Sequence, residues 1–482
     1  MYEPVIGLEI HAQLQTATKL FCGCSTAWDA APNSLTCPVC LGLPGALPAL
    51  NGRAVELAVL AAVLLDCRVQ TTSVFARKHY FYPDLPKGYQ ITQYDRPLAV
   101  GGRLEWSVAG VGRHIRIERV HVEEDAGKSM HGGAAGGDAV TLLDFNRSGV
   151  PLIEIVTAPD LRSAGDAAEF FRRLRTVLVA AGVNDGNMEQ GSLRCDANVS
   201  VRPRGEQAMG ARTEIKNLNS FRFLERALDF EIGRQRDRLA RGEAVAAETR
   251  FWDDRRGETV LMRRKEGADD YRYFAEPDLP PLVVDEATVA RARLAVPELP
   301  DVRRSRLANR YGLTGDTLDH VAGSAGLTAF FEQAVAAGAD APSAAAWIKG
   351  ELARRLHERG GGLEALALTL TPQSLARLVV MVSDGLLSAS AAKTVFARIC
   401  GTGEPPDEAA RAEQLLQVSD GSALGALVAE TLARFPEQVA QVRGGRTAAV
   451  GFLVGQVIKA SQGRANPRVV DRLVRESVGL PE

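Results

Sequence analysis

Apolar and polar residues alternate with a period of two along several short runs in residues 1–290. Pro4–Ile10, His114–Val122 and Asn198–Val201 are the clearest, and this pattern suits antiparallel strands with one dry and one wet face. Together they predict a large sheet of one layer. Two segments switch to the helical period. In Ala164–Ala181, Phe170, Phe171, Leu174, Val177 and Leu178 fall on one stripe. A second helix is expected from Ser220, a good N-cap, to near Gly242. Its polar face carries Arg222, Arg226, Arg234, Arg236 and Arg238, which suits either phosphate or plain solvent. From Asp285 onward helical patterns dominate, with a proline-marked joint at Val296–Pro300. Gly401–Asp407 holds two glycines and two prolines and reads as a hinge. The expected fold is α+β. A cradle domain on a mostly antiparallel sheet (1–290) precedes a helical domain (291–400) and a small helical tail (401–482).

A chain of 482 residues exceeds what one hydrophobic core usually serves, consistent with several domains. The formal net charge of −2 exerts no global pull on nucleic acid, so contact with RNA must come from local basic patches. One such patch is the tail. From Arg434 onward eight Arg/Lys stand against four Asp/Glu, with Arg443, Arg446, Lys459, Arg464 and Arg468 able to meet phosphate. The longest apolar stretch, Ala54–Cys67, is too short for a bilayer span of about 20 residues. The first residues run straight into a strand pattern without a signal or transit signature. No membrane association and a cytoplasmic location are expected.

Seven cysteines, clustered rather than spread, fit a reducing compartment. Cys22-Gly23-Cys24 and Cys37-Pro38-Val39-Cys40 form two tight half-sites that can close a tetrahedron of thiolates around Zn2+; four ordinary thiols are the alternative. Cys67, Cys195 and Cys400 lack such spacing and read as reduced core residues. The carboxylates Glu9, Glu123, Glu124, Asp125, Glu154, Glu189, Asp196 and Glu214 fall in loops or at strand ends. Glu154 sits in the apolar run Pro151–Val156, where an unpaired charge is costly, so a cation or metal should accompany it. Strand alternation puts Glu9 and His11 on one face. Oxygen ligands with one imidazole suit Mg2+ or Mn2+, and Mg2+ keeps waters for substrate phosphates. Asp125–Ser129 ends like a phosphate-binding loop, but Val122 occupies the required first glycine. Phosphate contacts must therefore come from elsewhere, with Lys78, Lys87, Lys128 and Arg147 as candidates. Lys78–Gln90 interleaves aromatics with cations, as stacking on bases or an aromatic core edge would require.

Several longer motifs are more specific than these patterns. Phe21–Cys24, Cys37–Gly45, Lys78–Gln90, His121–Lys128, Asp144–Leu152, Gly191–Ser200 and Asp270–Phe274, with Gly451–Val457 and Gly463–Pro467 in the tail, closely resemble the B-subunit family of the tRNA-dependent amidotransferases (GatCAB). The resemblance implies a ligase that forms carbon–nitrogen bonds. ATP and Mg2+ would serve to phosphorylate the side-chain carboxylate of Glu mischarged on tRNA(Gln), or Asp on tRNA(Asn). Ammonia from glutamine, released by a partner A subunit, would displace the phosphate, and a small C subunit would complete a heterotrimer. It implies Glu9, His11, Glu124 and Glu154 as metal ligands and, with Lys128, as catalytic residues. Lys78, Lys87 and Arg147 are expected at the nucleotide, and Cys22, Cys24, Cys37 and Cys40 at a structural zinc. Glu123, Glu189, Asp196 and Glu214 are further ligands or ammonia-guiding acids. Ala158 and Gln190 stand where the family commonly has acids, so neither can supply an essential carboxylate, and Ala275 interrupts a motif that usually has proline. A zinc-stabilised tRNA-binding protein without chemistry is the competing reading. The related archaeal-type subunit would carry a synthetase-like insertion, and none is evident between Asp285 and Cys400.

Overall fold

The computed structural model describes residues 2–108, 111–131, 140–264, 271–360, 363–366, 369–417, 421–444, 446, 448–461 and 465–480. The glycine-rich tip Gly132–Gly137, Asp270, Gly463 and Arg464 lie outside the described residues. Two compact units are formed, Met1–Leu299 and Pro300–Glu482.

The described residues of the first unit form sixteen strands. In chain order they begin with β1 (Tyr2–Gln13), β2 (Arg68–Val69), β3 (Thr72–Ser73), β4 (Phe75–His79), β5 (Tyr89–Gln93), β6 (Ala99–Val108), β7 (Val111–Glu124) and β8 (Lys128–His131). They continue with β9 (Thr141–Asp144), β10 (Pro151–Thr157), β11 (Leu193–Pro203), β12 (Thr213–Lys216), β13 (Glu248–Asp253), β14 (Glu258–Arg264), β15 (Arg272–Ala275) and β16 (Leu282–Val283). Nine of them form one sheet in the order β14-β13-β12-β11-β1-β10-β7-β6-β2. Among the described residues only β12 and β13 pair in parallel, so the expected α+β class and mostly antiparallel cradle are what is found.

Alternation sorts the sheet into two faces. Leu8, Ile10 and Ala12 of β1, Val120 and Val122 of β7, Ile153 and Ile155 of β10 and Ala197 and Val199 of β11 are all buried in one core. Helices α1 (Gly52–Leu64), α2 (Ala164–Ala180) and α3 (Phe221–Ala240) join that core. The phenylalanine stripe of α2 does so as predicted, with Phe170 meeting Trp106 of β6 at 6.1 Å. Side-chain oxygens of Asn51, Ser163 and Ser220 cap the three helix starts, satisfying amides that the helix leaves without partners. The sheet's other face is left to polar side chains. The small sheet β15-β4-β5 meets β7 there, where Thr92 donates to Glu123 Oε2 at 3.0 Å.

Glu286–Leu294 is a helix packed against α1, so the first unit runs to Leu299. Gly403 (φ +76°) ends the helix Ala389–Thr402, but Pro406–Ala412 starts the next one, and its Ala409 and Ala410 are fully buried in the helical core of Phe331, Leu375 and Phe396. The expected hinge is therefore a turn within that core. A separate tail core, with Val428, Leu453, Val457, Val470 and Val474, begins with the helix Gly421–Arg434.

The basic face of α3 is largely occupied by the protein itself. Arg226 pairs with Asp254, Arg236 reaches the Tyr2 carbonyl and Arg238 the Ala244 carbonyl. Arg234 holds Glu231 at 2.6 and 2.9 Å. Glu231 is fully buried and also accepts from Gln235 and Thr259, both at 2.8 Å. Burial opposes its charge, but these donors hold its pKa below the usual carboxylate value. Its contribution to stability is accordingly present above pH 4.5 and lost as pH falls through the lower folded-state value. Glu231→Ala, which leaves Arg234 and Arg250 facing a void, should lower unfolding free energy by about 3–5 kcal/mol in a denaturant titration. Glu231→Gln should flatten the loss of stability below pH 4.5.

Candidate active site and metal centres

The polar face of the sheet follows directly from register. In β1, β10 and β7, His11 lies opposite Glu154, and Glu154 opposite His121. Two residues on, Glu123 lies beside Leu152. On the other side, His11 faces Arg194, Glu9 faces Asp196, and Asn198 faces Glu214. Because successive side chains alternate, all these groups emerge from one face.

At the centre are two imidazoles and two carboxylates. His11 Nε2 is 3.4 Å from Glu154 Oε2 and 3.5 Å from Glu123 Oε1; His121 Nε2 is 3.2 Å from Glu154 Oε2 and 3.6 Å from Glu123 Oε2. Burial works against charge on His121, but Glu154 and Glu123 push its pKa up to about 9. The imidazoles in turn hold Glu154 well below the usual carboxylate range despite its burial. The partner that the apolar setting of Glu154 demanded is thus a pair of histidines. Ligand atoms of His11, Glu123 and Glu154 lie within 4.8 Å of one another, and an imidazole with two carboxylates fits Mg2+ or Mn2+. His121 Nδ1 is buried without a hydrogen-bond partner.

Beside this cluster is a second acidic group. Lys216 Nζ lies 2.7 Å from Asp196 Oδ2 and 2.8 Å from Glu214 Oε1, and Asn198 donates to Glu9 Oε1 at 3.0 Å. Burial and the neighbouring Glu154, Glu214 and Asp196 raise the pKa of Glu9. Both groups open into a cavity of about 750 Å³ whose wall also includes Lys78, Arg119, Arg212, Tyr94 and Tyr273.

Of the expected site residues, Glu9, His11, Glu154 and Lys78 line this cavity, as do Glu123, Asp196 and Glu214. Glu124 does not. Alternation turns it to the opposite face, where it pairs with Lys87 and accepts from the Ile91 amide at 2.9 Å. Glu123, its neighbour, faces the cavity instead. Lys87 follows Glu124 away from the cavity. Arg147 clamps the carbonyls of Ala126 and Gly127 at 3.0 and 2.6 Å. Lys128 is exposed at the start of β8, 5.9 Å from the Trp28 ring, and Glu189 is exposed in the loop before β11. His121, Asn198, Lys216, Arg119 and Arg212 were not anticipated. For His121 the signal was present: it shares the alternation of His121-Val122-Glu123.

The cysteine frame closes as its spacing suggested. Sulfurs of Cys22, Cys24, Cys37 and Cys40 lie within 4.8 Å of one another, with Cys37 and Cys40 at 3.9 Å. Tetrahedral Zn–S bonds of about 2.3 Å require sulfurs about 3.8 Å apart. The Cys37 amide donates to Cys40 Sγ at 3.2 Å, and the fully buried Lys19 places Nζ 3.6 Å from the same sulfur. A hydrogen bond from Cys22 is the main cause that lowers the Cys40 pKa to about 4. The donor set therefore fits zinc, and four thiolates leave no open position. In contrast, burial pushes the isolated thiols of Cys67, partly buried against the core, and Cys400, inside the helical core, up to about 12 and about 11, which disfavours the reactive thiolate.

Residues 4–290 match the family model described as the GatB/GatE catalytic domain, and residues 329–478 match the one described as the GatB domain. The chain is similar to the B subunit of the aspartyl/glutamyl-tRNA(Asn/Gln) amidotransferase of Anaeromyxobacter dehalogenans (strain 2CP-C), at 50% identity over 482 residues and 99% of each chain. It is 48% identical over 478 residues to the protein of that name from Myxococcus xanthus (strain DK1622), covering 99% of each chain. Against that from Moorella thermoacetica, identity is 49% over 475 residues, covering 98% of this chain and 99% of the relative.

Metal analysis of dialysed protein should find about one zinc per chain. Cys37→Ser/Cys40→Ser should abolish it, whereas Cys195→Ser should leave it intact.

Proposed function

The chain belongs to the GatB/GatE family, and from that premise we propose that it converts Glu-tRNA(Gln), Asp-tRNA(Asn) or both to the corresponding amides in an ATP-dependent reaction. The observation that carries this reading is the joining of the His11/Glu123/Glu154 cluster, Lys78 and the Glu9/Asp196/Glu214 group in one cavity. A carboxylate is a poor acyl donor because its leaving group would be oxide. Attack by the side-chain carboxylate oxygen on the γ-phosphorus of ATP breaks the bond to ADP and leaves an acyl phosphate. Ammonia then attacks the acyl carbon, the C–O bond breaks, phosphate departs and the nitrogen loses a proton.

His11, Glu123 and Glu154 are the residues that would hold Mg2+, which offsets charge on the transferring phosphoryl oxygens. Lys78, whose charge is favoured by Glu123 and Glu154 although burial opposes it, is placed to neutralise a phosphate. Glu9, Asp196, Glu214 and Asn198 form the adjoining polar end, suited to accept hydrogen bonds from ammonia and to take up its proton. The chain has no Gly/Ser-rich amidase signature, which supports an imported nucleophile. We assign its supply to a glutaminase A subunit, with a small C subunit completing a cytoplasmic heterotrimer. Exclusion of water suits this chemistry, since hydrolysis competes with amidation. Arg443, Arg446, Lys459 and Arg468 of the tail are assigned to the tRNA backbone.

The test is amide formation on both mischarged tRNAs with ATP, Mg2+ and ammonium, using the chain assembled with its partner subunits. Product should require ATP. Glu154→Ala or Glu123→Ala should lower kcat by about 10²-fold or more, while Glu124→Ala, on the opposite face, should act chiefly by lowering thermal stability. No product with either tRNA from an intact complex would leave a tRNA-binding protein without chemistry. Removal of residues after 417, beyond the helical core, should raise KM for aminoacyl-tRNA with little change in kcat at saturation.

A further inference from the structure

The cavity wall contains a feature that phosphoryl transfer itself does not use. Tyr94, in the turn after β5, and Tyr273, in β15, stack with ring centroids 4.1 Å apart and planes 11° from parallel. Both line the cavity of the acidic clusters. Tyr94 is 56% exposed, so stacking on Tyr273 covers one face of its ring and leaves the other to whatever enters. Tyr273 lies opposite Lys78 in the pairing of β15 with β4, and Lys78 lines the same cavity. Tyr271, two residues earlier, carries Lys78 Nζ 4.7 Å above its ring.

Two cations complete the wall. Arg119 and Arg212 face the cavity and have no ion pair among the described residues. Arg119 follows register: it lies two residues before His121 on the same face of β7. One cavity thus combines carboxylates and imidazole suited to a divalent cation, guanidinium groups suited to phosphate, and an open aromatic plane. A flat π-surface at the lip of a phosphate site matches a nucleobase, because base–aromatic stacking tolerates any orientation about the ring normal. An acidic peptide would use the cations but not the ring, and an apolar ligand the ring but not the cations.

We propose that the Tyr94–Tyr273 pair is the platform on which an adenine base stacks in this cavity, with Arg119 and Arg212 holding the attached phosphates. The assignment rests on the function proposed above, which brings two adenosines to the site: that of ATP and the terminal nucleoside of the aminoacyl-tRNA. Tyr94 is a positioning residue rather than a catalytic one. It sets where the base lies and hence the reach of the phosphates toward Lys78 and the acidic cluster.

Binding is measured on the full chain assembled with its partner subunits, by calorimetry with Mg·ATP and with Mg·tripolyphosphate, which lacks the base. The wild type should prefer ATP by at least about tenfold, a typical loss when a stacking aromatic is removed. Tyr94→Ala should erase that preference and Tyr94→Trp preserve it, while Arg119→Ala should weaken both ligands alike. If the ATP preference survives Tyr94→Ala but KM for aminoacyl-tRNA rises about tenfold, with Tyr94→Trp restoring it, the adenine held is that of the tRNA. Unchanged ATP preference together with unchanged KM for aminoacyl-tRNA would overturn the platform. Calorimetry needs no turnover, so failure of the platform is distinguishable from failure of the proposed reaction, which would appear as absent amide product in the wild type.

Discussion

The structure turns on four ionisable side chains, His11, His121, Glu123 and Glu154, held against one another on one face of a sheet whose other face packs its apolar residues against helices. Taking charges out of water is costly unless geometry returns the loss through close opposite partners. Here each imidazole lies between the same two carboxylates, at 3.2–3.6 Å. The arrangement depends on the pairing of β1, β10 and β7. A slip of one residue in any of them would carry its charged groups into the helix-covered core and bring valine and isoleucine out. The apolar alternation that packs Ile10, Val122 and Ile153 against the helices therefore also holds the polar cluster in register.

The end of β7 links the two candidate metal centres. Glu123, Glu124 and Asp125 are consecutive but act in different places. Glu123 faces the cavity. Glu124 pairs with Lys87 in a small pocket lined also by Cys22, Cys40 and the buried Lys19. Asp125 is held by Arg194 at 3.0 Å and by Gln13 at 2.9 Å, and these partners keep it ionised against the effect of burial. The cysteine frame thus borders the element that supplies Glu123. A metal held by the cysteines would stiffen the end of β7, and with it Glu123, through Lys87 and Glu124.

Much of this was legible along the chain because it depends on local periodicity. The strands around Glu9 and His121, the phenylalanine stripe of α2, the Ser220 cap and the paired cysteine half-sites all rest on neighbours a few residues apart. Glu154 was marked as anomalous by its apolar surroundings alone. Less was legible where neighbours in sequence part company in space. Glu124 and Lys87 look as chemical as Glu123 and Lys78, but one residue of alternation sends Glu124 to the far face. Arg147 reads as a phosphate donor, yet two backbone carbonyls occupy it. The segment Gly401–Asp407 has a hinge composition, and only the burial of Ala409 and Ala410 reveals that the helical core continues past it.

By itself the sequence determined the family, the α+β class, the cysteine tetrad and the identity of most acids in the site, since these are written in motif order, period and spacing. Tertiary structure decided which acids meet which imidazoles, which cations line the cavity wall and which aromatic rings stack at its lip. Those relations join residues more than a hundred positions apart, such as His11 with Glu154, or Tyr94 with Tyr273. They are set by strand register and by the packing of one sheet over another, and a linear pattern carries no measure of either.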